Sequence, residues 1–257
     1  MELLAHVRIV NWQGASLWIS DATRAKGVEP RRTDFHAHHA IQITLSMGGW
    51  FKLDTADAHA RGDVVAVAAD AQHVFEAEGL MAFLFVEPES RLGRAIGRRW
   101  FNGAELVAIP PDVLGDFRER ITTAYSAAVR NDAALASLGR ALLATLSADA
   151  VAEEPDSRIR KVITWAAQQI DEPVGLADAV AISGLSPSRL RHLFVEQTGL
   201  PFKTYLLWLR LTRAVEAFAA GASLTEAAHQ AGFADSAHLS RTFRRMFGIA
   251  PTSLRIV

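Results

Sequence analysis

Apolar positions along this chain follow two different periods, and the change comes near residue 87. Before it, short β-rich runs occur at His6 to Val10, Leu17 to Ile19, Ile41 to Ser46, Trp50 to Leu53, Val64 to Ala68 and Met81 to Val86. Gly48-Gly49, Gly62-Asp63 and Glu78-Gly79 punctuate them, and glycine-rich breaks of this kind read as turns. Strands so closely spaced, with no helical segment between them, predict a small antiparallel barrel or jelly roll. After it, the spacing becomes helical. Ser90 can cap a helix carrying Leu92, Ile96 and Trp100; Val113, Phe117, Ile121 and Tyr125 mark a second over Asp112 to Val129; Leu135, Leu138, Leu142 and Leu146 mark a third over Asp132 to Leu146. Such stripes either pack on the domain's own sheet or pair two subunits.

Ser147 to Ser157 is Ala-rich and acidic and holds Pro155, the composition of a linker. The chain therefore divides into residues 1–150, a β-rich domain with following helices, and 151–257, an all-helical domain. In the second, Ile159, Ile163, Ala166 and Ile170 share one helix face. Pro201 opens a long helix through Tyr205, Leu209 and Val215.

That long helix separates two copies of one pattern. Leu176, Ala179, Gly184, Leu185 and Ser188 match Leu224, Ala227, Gly232, Phe233 and Ser236 at an offset of 48; Leu190, Phe194 and Gly199 match Leu239, Phe243 and Gly248 at 49. Each copy is a short helix stopped by glycine, a capping signal (Ser186-Pro187; Asp235 or Ser236), and a second helix. Leu190, Leu193 and Phe194 point inward in the first, Leu239, Phe243 and Phe247 in the second, which leaves polar and basic outer faces. A repeated helix, sharp corner and basic second helix is a pair of helix-turn-helix units, whose second helix fits the DNA major groove.

Ala228, Gly232-Phe233, Leu239 to Arg245, Phe247-Gly248, Pro251 and Leu254-Arg255 resemble the signature of the AraC/XylS transcription regulators, and Leu185 to Phe194 resembles that family's first recognition helix. The resemblance covers about Ser157 to Val257. It implies a sequence-specific regulator of double-stranded DNA acting as a homodimer, with RNA polymerase as a further partner. Ser188, Arg189, Arg191 and His192 would read or grip DNA in the first unit; Ser236, His238, Ser240, Arg241, Arg244 and Arg245 in the second. Arg241 is the candidate base contact, and Arg244 and Arg245 candidate phosphate contacts.

The N-terminal strands hold a histidine constellation. His36-Ala37-His38, then Gln42, then His73 resemble in spacing the two motifs of the cupin superfamily, with Gln42 where glutamate is common. In metal-binding cupins the matching positions are ligands, which would suit Zn, Ni or Fe. Three readings stay open: a divalent metal site, a metal-free pocket for a small effector, and a purely structural barrel wall. His39 and His59 miss the ligand spacing and are expected at the surface.

Bulk properties change this picture little. The chain has 257 residues, net charge −1 and no cysteine, which excludes disulfides and thiolate metal sites. From Asp156 onward there are 12 Lys/Arg against 8 Asp/Glu, or +4, and the remainder holds 15 against 20, or −5. A basic C-terminal part on an acidic N-terminal one suits a DNA-binding module joined to something else. No apolar run reaches the ~20 residues of a membrane span, and Met1 to Val10 is not a secretory signal, so a cytoplasmic protein is expected. The fold class expected is α+β: a cupin-like antiparallel barrel with following helices, then a helical domain with two helix-turn-helix units. The competing reading is a metal-dependent cupin enzyme with a helical appendix. No phosphate-cradling loop or nucleophile elbow supports any other enzyme class.

Overall fold

The computed structural model describes residues 5–22, 31–148, 154–170, 172 and 174–257. It separates into two compact units, Met1–Ala152 with Phe243–Val257, and Glu153–Thr242. The expected boundary at residue 150 did not anticipate that the last fifteen or so residues return to the first unit. Residues 149–153 of the expected linker lie outside the described residues.

The first unit is built on one sheet. Its strands are β1 (Ala5–Trp12), β2 (Ala15–Asp21), β3 (Arg31–Arg32), β4 (Ile41–Asp54), β5 (His59–Arg61), β6 (Val64–Val67), β7 (Val74–Val86), β8 (Leu106–Ala108) and β9 (Leu254–Ile256). They run in the order β8-β6-β4-β7-β2-β1-β9, with β3 on β7 and β5 on β4. Among the described residues this path does not return on itself, so the sheet is barrel-like rather than closed. All pairs are antiparallel except β1 with β9, which is parallel.

Two glycine breaks read as turns lie inside strands instead. Ile41 to Ser46 and Trp50 to Leu53 form the single strand β4, with a register shift between Ser46 and Gly48. Met81 to Val86 extends back to Val74 straight through Glu78-Gly79. Gly49 pairs with Gly79 across the ladder, and a Cβ on either would collide with the opposite backbone. Glycine therefore permits a bulged close approach here rather than a chain reversal.

Ser90 caps α1 (Arg91–Ile96) by accepting from Gly93 N–H at 3.0 Å, and a π turn over Gly97–Phe101 follows. The expected helix from Asp112 breaks in two. A 3-10 turn over Pro111–Leu114 ends at Gly115 (φ +49°), and α2 (Phe117–Ser126) begins after it. α3 (Asp132–Leu146) matches its expected bounds. Leu135, Leu142 and Leu146 of α3 are fully buried in one core with Leu17, Ile43, Leu45 and Leu84 of the sheet. Each such leucine contributes roughly 1.5–3 kcal/mol by leaving water. The α3 stripe is therefore used on its own domain.

The second unit holds α4 (Ser157–Gln168), α5 (Leu176–Ser183), α6 (Pro187–Thr198), α7 (Phe202–Ala219) and α8 (Leu224–Gln230). Local chemistry sets the ends of these helices. Gly184 and Gly199 take the left-handed conformation after α5 and α6, Ser186 caps α6 with Pro187 in its first turn, and Ser223 and Glu226 form a reciprocal capping box on α8. Ile159, Ala179, Leu190, Phe194 and Tyr205 share a core. α7 has 18 residues, roughly 27 Å of rigid rod at 1.5 Å per residue.

The last helix, α9 (Ser236–Phe247), is capped by Asp235, whose carboxylate accepts from His238 N–H at 2.6 Å. It begins in the second unit and ends in the first. After it, Leu254–Ile256 joins β1, a pairing that three residues at the chain end gave no reason to expect.

Candidate nucleic-acid interface and effector cavity

The outer face of α6 carries Ser188, Arg189, Arg191 and His192, all exposed, above buried Leu190, Leu193 and Phe194. On α9, Arg241 and Arg245 are exposed, while Leu239 and Phe243 are buried. Neither Arg191 nor Arg241 makes an ion pair within 4.0 Å among the described residues. Both guanidinium groups are thus open to a partner.

Other expected DNA contacts are already engaged in part. Ser240 donates its hydroxyl to the Ser236 carbonyl at 2.8 Å. His238 is half-buried, its ring edge-on to Phe233 at 5.1 Å. Arg244 grips Asp34 with two nitrogens, Nε at 2.9 Å and Nη2 at 2.8 Å. Both contacts fall on the one Oδ2 oxygen, and they leave Arg245 as the freer of the two arginines set aside for phosphate.

In the first unit the sheet and the end of α9 enclose a cavity of about 110 Å³. Its walls are largely aromatic, with Trp18, Phe75, Phe83, Phe85 and Phe247, and its polar lining includes His36, Gln42 and Arg32. Trp18 and Phe247 rings lie 5.1 Å apart. Phe247 was expected only as an inward-facing helix position; nothing in its spacing tied it to the sheet.

The three expected histidines do converge. His36 and His73 sit on facing extended segments joined by reciprocal backbone hydrogen bonds, His36 N–H to His73 O at 3.1 Å and the reverse at 2.9 Å. Together with His38 they form a buried group whose nearest ring nitrogens all lie within 4.8 Å of one another. Gln42 joins through its amide, 3.0 Å from His38 Nε2, and reaches Thr44 Oγ1 at 2.9 Å. Burial, with His73 nearby, pushes His36 down to about 4. Burial and then the neighbouring His73 and His36 hold His38 well below its usual range, and burial lowers His73. The three imidazoles are therefore neutral at pH 7.

His39 overturns its expected surface position. It is 1% exposed, with Nδ1 3.1 Å from Asp70 and Nε2 3.2 Å from Glu89. Burial alone would lower its pKa, but the hydrogen bonds that the ring donates to Asp70 and Glu89 outweigh that and raise it to about 9. His59 is exposed as expected.

Residues 179–256 match a family described as a helix-turn-helix domain. The HTH-type transcriptional activator RhaS of Enterobacter sp. (strain 638) is 32% identical over 104 residues, which is 40% of this chain and 37% of that protein. YidL of Escherichia coli (strain K12), described as an uncharacterized HTH-type transcriptional regulator, is 28% identical over 191 residues, or 71% of this chain and 62% of its own length. The C-terminal part of the chain, residues 179–256, thus carries a helix-turn-helix domain of the AraC type. The aligned segments span less than two thirds of either of these relatives. ToxT from Vibrio cholerae, an apo K231A form, has a TM-score of 0.60 over 95% of this chain and 97% of its own, at 13% identity. That likeness is one of fold, and it extends across the sheet unit as well as the helices. The curated relatives are named as transcriptional regulators, not enzymes, so the reading of an enzyme with a helical appendix finds no support among them.

Proposed function

We propose that this chain is a sequence-specific DNA-binding transcription regulator of the AraC family, controlled by a small effector in the sheet unit. The observation that carries the reading is the pairing of two capped, cored helices with open, exposed guanidinium groups, Arg191 on α6 and Arg241 on α9. Arg241 reads a guanine through its O6/N7 edge, and Arg191 with Arg189, Ser188 and His192 does the equivalent in the first unit. Ser236, Ser240 and His238 support α9 in the groove. Arg245 contacts phosphate, which positions the helix without specifying sequence. Arg244 does so only by releasing Asp34.

The effector is a small, mainly apolar molecule, as the aromatic cavity walls require. A ToxT structure with TM-score 0.57 and 15% identity is described as bound to unsaturated fatty acid. Arg32 in the lining here gives an acidic head group somewhere to sit. α9 carries Arg241 on its outer face and Phe247 in the cavity wall. An effector that prefers one placement of Phe247 therefore biases the helix that reads DNA, since a ligand shifts an equilibrium only by its differential affinity. The reading extends, through the family resemblance, to a cytoplasmic homodimer that contacts RNA polymerase; no helix among the described residues is long and apolar enough to cross a membrane.

The test is Arg241→Ala against a duplex selected by the full chain from a random pool. Binding to the selected site should weaken by roughly 1–3 kcal/mol, with discrimination relaxed at one base pair. Equal loss on every sequence would refute base reading by Arg241.

A further inference from the structure

The inner end of the effector cavity is defined by where three side chains hold their hydrogens. His36 Nδ1 faces the Asp34 carbonyl at 2.9 Å, with Thr33 Oγ1 farther off at 3.4 Å. A carbonyl only accepts, so the shorter contact puts the proton on Nδ1 and leaves the neutral ring's lone pair on Nε2. That lone pair has no hydrogen-bond partner among the described residues. The Nδ1 edge lies against backbone, since a Cβ on Gly248 would come within 2.6 Å of it. The opposite edge, with Nε2, is therefore what His36 offers to the cavity that it lines. Beside it His73 repeats the arrangement: Nδ1 faces the Ala71 carbonyl at 2.9 Å, Nε2 is buried and unpartnered among the described residues, and the two rings lie 4.2 Å apart. Acceptors are in excess here.

Gln42 adds the opposite function. His38 Nδ1 faces the Ala40 carbonyl at 2.9 Å, so its Nε2, 3.0 Å from the Gln42 amide, must accept. The amide therefore turns its NH2 group to His38, and the Thr44 hydroxyl donates to the amide oxygen. An NH2 group carries two hydrogens, and the second has no protein partner among the described residues. Gln42, like His36, is part of the lining.

The inner end thus presents an acceptor, His36 Nε2, and a donor, the Gln42 N–H, between aromatic walls. A hydroxyl complements both, because it donates one hydrogen and accepts through its own lone pairs. A carboxylate only accepts and would face the bare histidine lone pair. An ammonium only donates, and it would share the lining with the Arg32 cation. Arg32 is exposed, so an acidic group is served at the outer end. We infer that the effector carries a hydroxyl at its inner end, held by His36 Nε2 and the Gln42 amide: a phenol or comparable ring alcohol, with any acidic group toward Arg32. The inference rests on the cavity being the effector site.

Phenol, toluene and anisole share one ring and differ at the hydroxyl alone. Each would be titrated into the full chain with chelator present, and occupancy followed by NMR from the methyl group of Met81, which lines the cavity. A buried polar group left unpaired weakens binding by about five- to a hundredfold. Phenol should therefore bind at least about fivefold tighter than either analogue, although both analogues are more apolar. His36→Leu should erase that preference, while His59→Gln, altered at an exposed histidine, should keep it; circular dichroism checks that each variant is folded. Imidazole nitrogen shifts of the wild type give a second reading that needs no variant: His36 must be protonated at Nδ1, and its Nε2 must respond to phenol and not to toluene. Toluene or anisole binding as tightly as phenol, a preference that survives in folded His36→Leu, or a proton on His36 Nε2 overturns the hydroxyl assignment and leaves the cavity an effector site. If none of the three compounds moves Met81, the effector reading of the cavity falls as well.

Discussion

His39 sits between two carboxylates at the floor of the sheet unit, and its titration is coupled to folding. Its folded pKa, about 9, lies above the ordinary histidine value of 6.5. The sign follows from linkage: the stabilisation is complete below about pH 6.5 and is lost as pH rises through about 9. The rise corresponds to ~3 kcal/mol. Urea denaturation at pH 6.5 and pH 9.5 should show the wild type losing an amount of that order, and His39→Gln losing much less of it. A wild-type stability that stays flat over that window would mean that the charge is not shared with Asp70 and Glu89. In the sequence His39 looked like a surface residue because the ligand spacing passes it by. Its partners are 31 and 50 residues distant, and no local pattern reveals pairings of that range. His36, His38 and His73 were legible because alternation on an extended strand places His36 and His38 on one side, and the resemblance to the cupin motifs supplied His73.

At the scale of elements, caps were the most readable feature and sheet pairing the least. Gly184, Ser186, Pro187 and Asp235 act as their chemistry requires, since a cap is decided within four residues of chain. The merger of two expected strands into β4 and the pairing of β9 with β1 depend on partners far along the chain, where a glycine's role as turn or bulge is set by what lies opposite. Gly248 joins the two cases. It ends α9 at φ +69°, as its match to Gly199 foretold. Its carbonyl also accepts from Asp34 N–H at 2.8 Å, and a Cβ there would meet the Asp34 carbonyl and the His36 ring. Gly248→Ala therefore strains the backbone and displaces the histidine segment, and should destabilise by more than about 1 kcal/mol. Gly103, at φ +88° with open space around it, provides the comparison: alanine there bears only the backbone term. Equal losses at the two positions would show that the Asp34–His36 seat is unimportant.

Across the whole molecule, the division into a β-rich acidic part and a basic helical part was readable from period and charge alone. What was not readable is that the chain end crosses back, so that α9 serves both units. The account rests on α6 and α9 reading DNA together, with α7 as the stiff spacer that fixes their separation. Two recognition helices on one flank of a duplex contact sites one turn apart, about 10–10.5 base pairs. The most direct measurement is the affinity of the full chain for its selected duplex before and after five base pairs are inserted between the two contacted segments. Half a turn moves one segment to the opposite flank, so binding should fall at least tenfold, and inserting ten base pairs should not be equivalent to inserting five. Unchanged affinity after the five-base-pair insertion would contradict the account, because it would mean that the two helices do not engage DNA as a fixed pair.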